Sequence, residues 1–375
     1  MEAIFNKSKI GEDIFMCSVP VPDIDAHKYD SSVQFTEDQI SKYGQSQTHP
    51  SICFRENGFG GHQWWLATTP YPYAVGVFEN PCIYYADTKS DGTPPTVFTP
   101  IPNNPIVKIK ENSATNSDPD LLIDDELGKM WLISRDNVFQ GHAAFLQESS
   151  DGISLSERPY KDKTKVVASN IIEPFIKCPE LISPSLLKID GKYLYFAVSG
   201  SSGIYSKNDK ANKGRFWGIY AGESTELMQA NDCFTYIGKS AFLSNAIEPW
   251  HFDCFYDYTS GYIYAICSGP KYLNWENTRQ NGVWLAVSKD QGKTFVAYPR
   301  PLLLGSFYRP TAVLDSERNL VIYGCFESGA PTSAEKYPNG TSDIPVDGRA
   351  IFMCYKNFDK LLADLNKDVI SIQWE

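Results

Sequence analysis

Five times along this chain a polar or charged residue, in four cases followed by proline, opens a run rich in apolar residues. The copies begin His49-Pro50-Ser51-Ile52, Asp118-Pro119-Asp120-Leu121, Ser183-Pro184-Ser185-Leu186, His251-Phe252-Asp253-Cys254 and Arg309-Pro310-Thr311-Ala312, at intervals of 69, 65, 68 and 58 residues. Recurrence at such a period, with several strands per unit, marks radial repetition. Units of this length suit four-stranded propeller blades, so the expected fold is all-β, a five-bladed β-propeller. The first strands of a propeller start around one axis. His49, Asp118, Ser183, His251 and Arg309 are therefore expected to converge on a single funnel.

The remainder of each unit fits this reading. Second strands stand out in Lys129-Met130-Trp131-Leu132-Ile133-Ser134, Lys192-Tyr193-Leu194-Tyr195-Phe196-Ala197, Tyr262-Ile263-Tyr264-Ala265-Ile266 and Leu320-Val321-Ile322-Tyr323-Gly324. Each follows its first strand across a tight turn (Leu127-Gly128, Asp190-Gly191, Ser260-Gly261 and Arg318-Asn319) able to supply the positive φ that hairpins require. None of the blades buries both faces alone, so the chain is read as one domain. Residues 1–48 form an N-terminal extension or closing strand, and residues 49–375 form the propeller. Ring closure is assigned either to the apolar stretch 14–19 or to the final residues 369–374. Helical periodicity is confined to a short stretch at 357–365.

A net charge of −11 argues against a nucleic-acid partner, which needs a basic face to neutralise phosphates. No apolar run of 18 residues suggests a membrane span. Met1 to Lys9 leads into no apolar core of a secretory signal, so the location expected is cytoplasmic, or virion-associated and extracellular if the chain is phage-encoded. The nine cysteines lack the C-x-x-C pairs of a zinc site and read as small core hydrophobes.

Asp118 and Asp120 alternate on one strand and so share a face, where two carboxylates can do acid–base work or share a cation; the bland alternative is a turn cap at Asp118. Asp253 repeats that offset after His251, with a hydrogen-bonded strand carboxylate as its alternative. Arg309 is the natural cation for a polar substrate, or else a neutralising partner for Asp118. Arg135 closes a second strand near the same end. Trp64, Trp65 and Trp250 read either as sugar platforms or as core, and buried aromatics are the commoner case. His62 and His142 read as loop or core histidines.

Ser288-Lys289-Asp290-Gln291-Gly292-Lys293-Thr294-Phe295 is similar to the Asp-box turn of sialidases and other propellers, and Ser150-Asp151-Gly152 to a degenerate copy. Asp118-Pro119-Asp120 and Ser183-Pro184-Ser185, each leading into an apolar strand and an aromatic second strand, resemble the five-bladed glycoside hydrolases of families 43, 32 and 117. The stretch from Thr48 through Gly58-Phe59-Gly60-Gly61-His62 to Glu79-Asn80-Pro81 is similar to a first blade of bacterial and phage tail-associated proteins. The glycosidase resemblance implies catalysis in the central funnel by Asp118 as base or anchor, Glu180 or Asp253 as proton donor, and His49 in place of the first-blade aspartate of family 43. It also implies a carbohydrate partner bound by Arg309, His251, Asp120, Arg135 and the three tryptophans. No cofactor is required, although a calcium or sodium ion near His251 is part of the family pattern. The competing expectation is a non-catalytic lectin or phage tail receptor-binding propeller. A sialidase is disfavoured, because its three substrate arginines are not matched at the strand openings. The glycan, the stereochemistry and the oligomeric state stay open at this level.

Overall fold

A computed structural model describes the chain outside residue 1 and residues 23–45, 72–77, 107–115, 137–142, 158–166, 169–180, 201–215, 229–232, 245–246, 248, 272–279, 306, 327–348 and 373–375. A short strand β1 (Phe15–Met16) precedes the repeats. The first unit is the meander β2 (Gln47–Phe59), β3 (His62–Pro70), β4 (Cys82–Ala86) and β5 (Thr99–Pro100); the second is β6 (Asn116–Asp124), β7 (Lys129–Asp136), β8 (Ala143–Ser149) and β9 (Val167–Ala168). The third comprises β10 (Leu181–Ile189), β11 (Lys192–Gly200), β12 (Phe216–Ser224) and β13 (Thr235–Leu243). The fourth comprises β14 (His251–Asp257), β15 (Tyr262–Lys271), β16 (Gln280–Ser288), β17 (Thr294–Ala297) and β18 (Leu303–Leu304). The last holds β19 (Phe307–Leu314), β20 (Asn319–Phe326) and β21 (Ile351–Asn357), followed by helix α1 (Phe358–Ile372).

The fold is a β-propeller with a single helix among the described residues. The first strands pack in a closed ring, β2 on β6, β6 on β10, β10 on β14, β14 on β19 and β19 back on β2. The apolar cores lie between successive units. Trp65 and Ile83 meet Leu121 and Leu132, while Phe196 and Ile219 meet Phe252 and Phe295. Each sheet is thus covered on both faces, which is why second strands such as 193–198 are apolar at nearly every position rather than alternating. The third and fourth units also join directly through a parallel pairing of β13 with β17. β1 pairs antiparallel with β21, Phe15 opposite Met353. The alternative of a closing strand at the C-terminus does not hold, because α1 runs through Ile372 and seats Phe358, Leu361 and Leu365 in the core.

Two turns dock one unit onto the one before it. Ser288 donates to Asp290, whose carboxylate accepts the Thr294 N–H at 2.9 Å, while the Gly292 N–H reaches Ser288 at 2.8 Å. Ser149, Asp151 and Gly152 repeat this arrangement. Gly152 and Gly292 have φ near +80°. A Cβ on Gly152 would come within 2.2 Å of the Trp65 ring, and one on Gly292 within 2.4 Å of the Phe196 ring. Glycine is needed there for both the dihedral and the close approach.

Candidate functional site at the axis

The opening residues owe their direction to a backbone device. His49, Asp118, Ser183 and Arg309, the four that precede proline, have φ of 53°, 53°, 52° and 40°. At the same four places the pairing with the second strand slips. Proline has no N–H to continue the ladder, and the resulting bulge re-aims the side chain before it. Holding a non-glycine residue in this region costs about 1–3 kcal/mol. At the fourth opening Phe252 replaces proline, and β14 pairs with β15 unbroken from His251 to Asp257.

The bulged residues build one buried cluster around Asp118. Its Oδ1 accepts from Arg309 Nη1 at 2.5 Å and lies 3.6 Å from His49 Nε2, and its Oδ2 lies 2.9 Å from Arg135 Nε. Arg309 also donates to the Pro119 carbonyl, and Arg135 Nη2 to Ser117 Oγ. Burial works against a charge on Asp118, but Arg135, His49 and Arg309 outweigh it and hold the carboxyl well below the usual range. Burial pushes the other way on the imidazoles. It lowers His49 to about 3 against the pull of Asp118, and it drives His251 down too, so both rings are uncharged at neutral pH. Each ring is held through Nδ1, His49 against Thr69 Oγ1 at 3.0 Å and His251 against Ser183 Oγ at 2.7 Å. Tyr308 packs edge-on against His251, and half-buried Trp250 stands beside the same ring.

Glu79 belongs to this cluster, and the sequence reading assigned it no role. Asn116, two residues ahead of Asp118, donates its N–H to the Glu79 carbonyl at 2.9 Å and its Nδ2 to Asn80 Oδ1 at 3.0 Å. That docks the loop after β3 onto the second opening. Burial raises Glu79 to about 7, Asp118 adds to the rise, and Arg135, Arg349 and a Ser117 hydrogen bond oppose it. The only hint in the sequence was its place in the Glu79-Asn80-Pro81 stretch. Arg349, also unassigned from sequence, lies over the Tyr71 and Tyr308 rings at 4.3 and 5.1 Å.

Two residues below the openings, a second ring stitches the units together. Ser51 Oγ donates to Asp120 Oδ1 at 2.7 Å, and Asp120 Oδ2 accepts the Leu186 N–H at 2.7 Å. Ser185 Oγ donates to Asp253 Oδ1 at 2.9 Å, Thr311 bonds the same carboxyl, and the Ile52 N–H closes the circle on Thr311 Oγ1. Burial raises both carboxyls, and the charge of Asp253 raises Asp120 further. Asp120 and Asp253 are thus occupied in seams between strands, the structural alternative weighed for Asp253. Trp64 and Trp65 are likewise core. Both are fully buried, with indole N–H groups on Thr88 Oγ1 and the Phe59 carbonyl, and neither ring is open to stack on a sugar. Glu180 and His142 lie outside the described residues.

A cavity of about 640 Å³ opens at the opposite end of the axis. Three ion pairs stand in its lining: Lys188 with Asp124 at 2.8 Å, Arg318 with Asp257 at 3.0 Å and Arg55 with Asp125 at 2.7 Å. These pairs clamp neighbouring units. Among the described residues no three His, Cys, Asp or Glu side chains stand in a metal-holding arrangement, and both Asp118 oxygens face guanidinium groups. An ion near His251 therefore stays an expectation of the resemblance.

Searches of protein-family profiles and of curated sequences return no match to this chain. Solved structures do resemble it. An N-acetylgalactosamine deacetylase from F. plautii, determined with blood group B trisaccharide, matches at a TM-score of 0.63 and 18% identity over 94% of this chain and 98% of its own. A family 43 β-xylosidase/α-arabinofuranosidase from a compost microbial metagenome matches at 0.53 and 11% over 84% and 93%. A family 32 β-fructofuranosidase of Bombyx mori matches at 0.52 and 13% over 85% of this chain and 62% of its own. At these identities the likeness is one of fold, and that fold is the propeller of family 43 and 32 glycoside hydrolases.

Proposed function

We propose that this chain is a five-bladed propeller glycoside hydrolase that cleaves a polysaccharide or oligosaccharide at the axial cluster, with Glu79 as proton donor and Asp118 as the ionised partner. The observation that carries this reading is a pair of carboxyl groups in one site, Asp118 buried and Glu79 half-buried, whose environments drive their acidities apart, Glu79 up to about 7 and Asp118 well down. Such a pair identifies an acid and a base. Glycosidic cleavage needs both: a proton for the leaving oxygen, and a carboxylate to activate water or stabilise positive charge on the ring. His49 and His251, neutral and held through Nδ1, orient hydroxyl groups, and Trp250 offers an apolar face. Glu180 remains a candidate proton donor through the family resemblance.

A second reading has its own support in the full-length likeness to a sugar N-deacetylase. In that chemistry Glu79 takes a proton from water as it attacks an N-acyl carbon, and a guanidinium stabilises the oxyanion. Purified protein incubated with a panel of polysaccharides and N-acetylated oligosaccharides separates the readings: new reducing ends support glycoside cleavage, and released acetate supports deacylation. Binding without either product favours the lectin alternative and overturns the hydrolase.

A further inference from the structure

Glu79 stands on the connection between β3 and β4 and not on a strand, yet a group that transfers a proton has to be held to within about 0.5 Å of its working position. Asn116 supplies two fixings for that connection. It opens β6, 1% exposed, where the ladder sets it opposite Asp136 and its neighbour Ser117 opposite Arg135. Its N–H donates to the Glu79 carbonyl at 2.9 Å, and its Nδ2 donates to Oδ1 of Asn80, also 1% exposed, at 3.0 Å. Consecutive residues of the connection are thus pinned by the main chain and the side chain of one strand residue. Two positions along, the same strand end carries Asp118. Arg135 spans the interval, with Nε 2.9 Å from Asp118 Oδ2 and Nη2 donating to Ser117 Oγ at 2.9 Å. Glu79 and Asp118 therefore share one mount.

We propose that Asn116 is the positioning residue of this site: its paired bonds to Glu79 and Asn80 fix the Glu79 carboxyl relative to Asp118. A second contact one residue on restricts the swing that a single main-chain bond allows, and asparagine suits the task because its short side chain ends in an N–H donor. Alanine at this position would keep the main-chain bond and lose the other. Glu79 faces Asp118, Arg135, Arg349 and Ser117, and burial is the largest cause of its raised pKa, with Asp118 next among those that raise it. Loosening the connection admits water and draws the carboxyl away from Asp118, so both causes of the rise weaken. The inference rests on Glu79 moving the proton, in either reading of the reaction, and goes further by naming the residue that places it.

Isotopic labelling of the glutamate carboxyls in the full chain, read by NMR with Glu79→Gln to assign the signal, tests it without a substrate. The wild-type signal should titrate near pH 7. Asn116→Ala should move it down by at least about one pH unit, toward the ordinary glutamate value. Asn80→Ala removes the same amide bond from the side of the connection and should do likewise, which keeps the test open if one variant does not fold. On whichever member of the polysaccharide and N-acetylated oligosaccharide panel is turned over, each variant should lower kcat about ten- to hundredfold, as misplacing a catalytic group by about an ångström does. KM should change little, and neither variant should lower kcat further in the Glu79→Gln background, since residues acting through one group are not additive. An asparagine with only a structural part would lower the melting temperature and leave the Glu79 titration where it was. A wild-type signal near pH 7 that stays put in the folded variants, or kcat losses that add to that of Glu79→Gln, overturns the inference and spares Glu79 as the proton carrier. Ordinary glutamate titration in the wild type, or full turnover in Glu79→Gln, sinks that assignment and the inference with it.

Discussion

Replacing Glu79 with glutamine removes the proton that the proposed mechanism transfers while keeping the shape of the side chain. Its acidity has identifiable sources: burial raises it most and the Asp118 charge raises it further, against Arg135, Arg349 and the Ser117 hydrogen bond. A donor that loses its proton near pH 7 should make kcat/KM fall about tenfold per pH unit above that point. Glu79→Gln should lower kcat about 10²–10⁴-fold, which is about 2.7–5.4 kcal/mol of barrier at 1.36 kcal/mol per decade, and should abolish that basic limb with little change in binding. Asp118→Asn removes the like charge, so the limb should move to lower pH. The assay is a pH–rate profile from pH 4 to 9 on whichever glycan the panel identifies. Wild-type turnover in Glu79→Gln, or a basic limb that survives the substitution, would refute the assignment of Glu79 as the acid.

Gly152→Ala and Gly292→Ala should each lower stability by about 1–3 kcal/mol through forced contact with Trp65 and Phe196, read as a drop in the denaturant midpoint at unchanged slope; an unchanged midpoint would count against the docking turns. Ser51→Ala strands one oxygen of Asp120 and the Leu121 N–H and should cost about 1–3 kcal/mol with turnover retained. Asp120 has its folded-state pKa raised, so the stability it contributes is complete below its unfolded pKa of about 4 and is lost as pH rises through the folded value. Melting of Asp120→Asn should therefore fall less than the wild type's as pH rises above about 4, and a steeper loss in the variant over that range would contradict the seam.

The ring of openings was legible in the sequence because a propeller repeats one short pattern at nearly constant period, and proline marks where each ladder cannot run on. The tight turns were legible too. Asp190 and Gly191 both take positive φ, as do Gly128, Gly261 and Arg318 in their turns. The helix was visible but too short, since propensity signals the amphipathic stretch and not its last turns. The tryptophans were ambiguous because strand pattern does not tell a ring packed on a neighbouring sheet from one facing a ligand. Trp65 was settled by Gly152, 87 residues away in the next unit.

From sequence alone came the convergence of His49, Asp118, Ser183, His251 and Arg309, for their place depends on the period of the repeat and the local geometry of X-Pro. Tertiary structure alone brought Glu79 and Arg349 to them, since neither begins a strand. It alone decided charge as well. Asp118, Asp120 and Asp253 are the same residue type at equivalent openings or one step below them, yet two guanidiniums keep the first ionised while burial raises the other two. Ionisation depends on which groups lie within a few ångströms and how much water is excluded, and a linear sequence specifies neither until the sheets have packed.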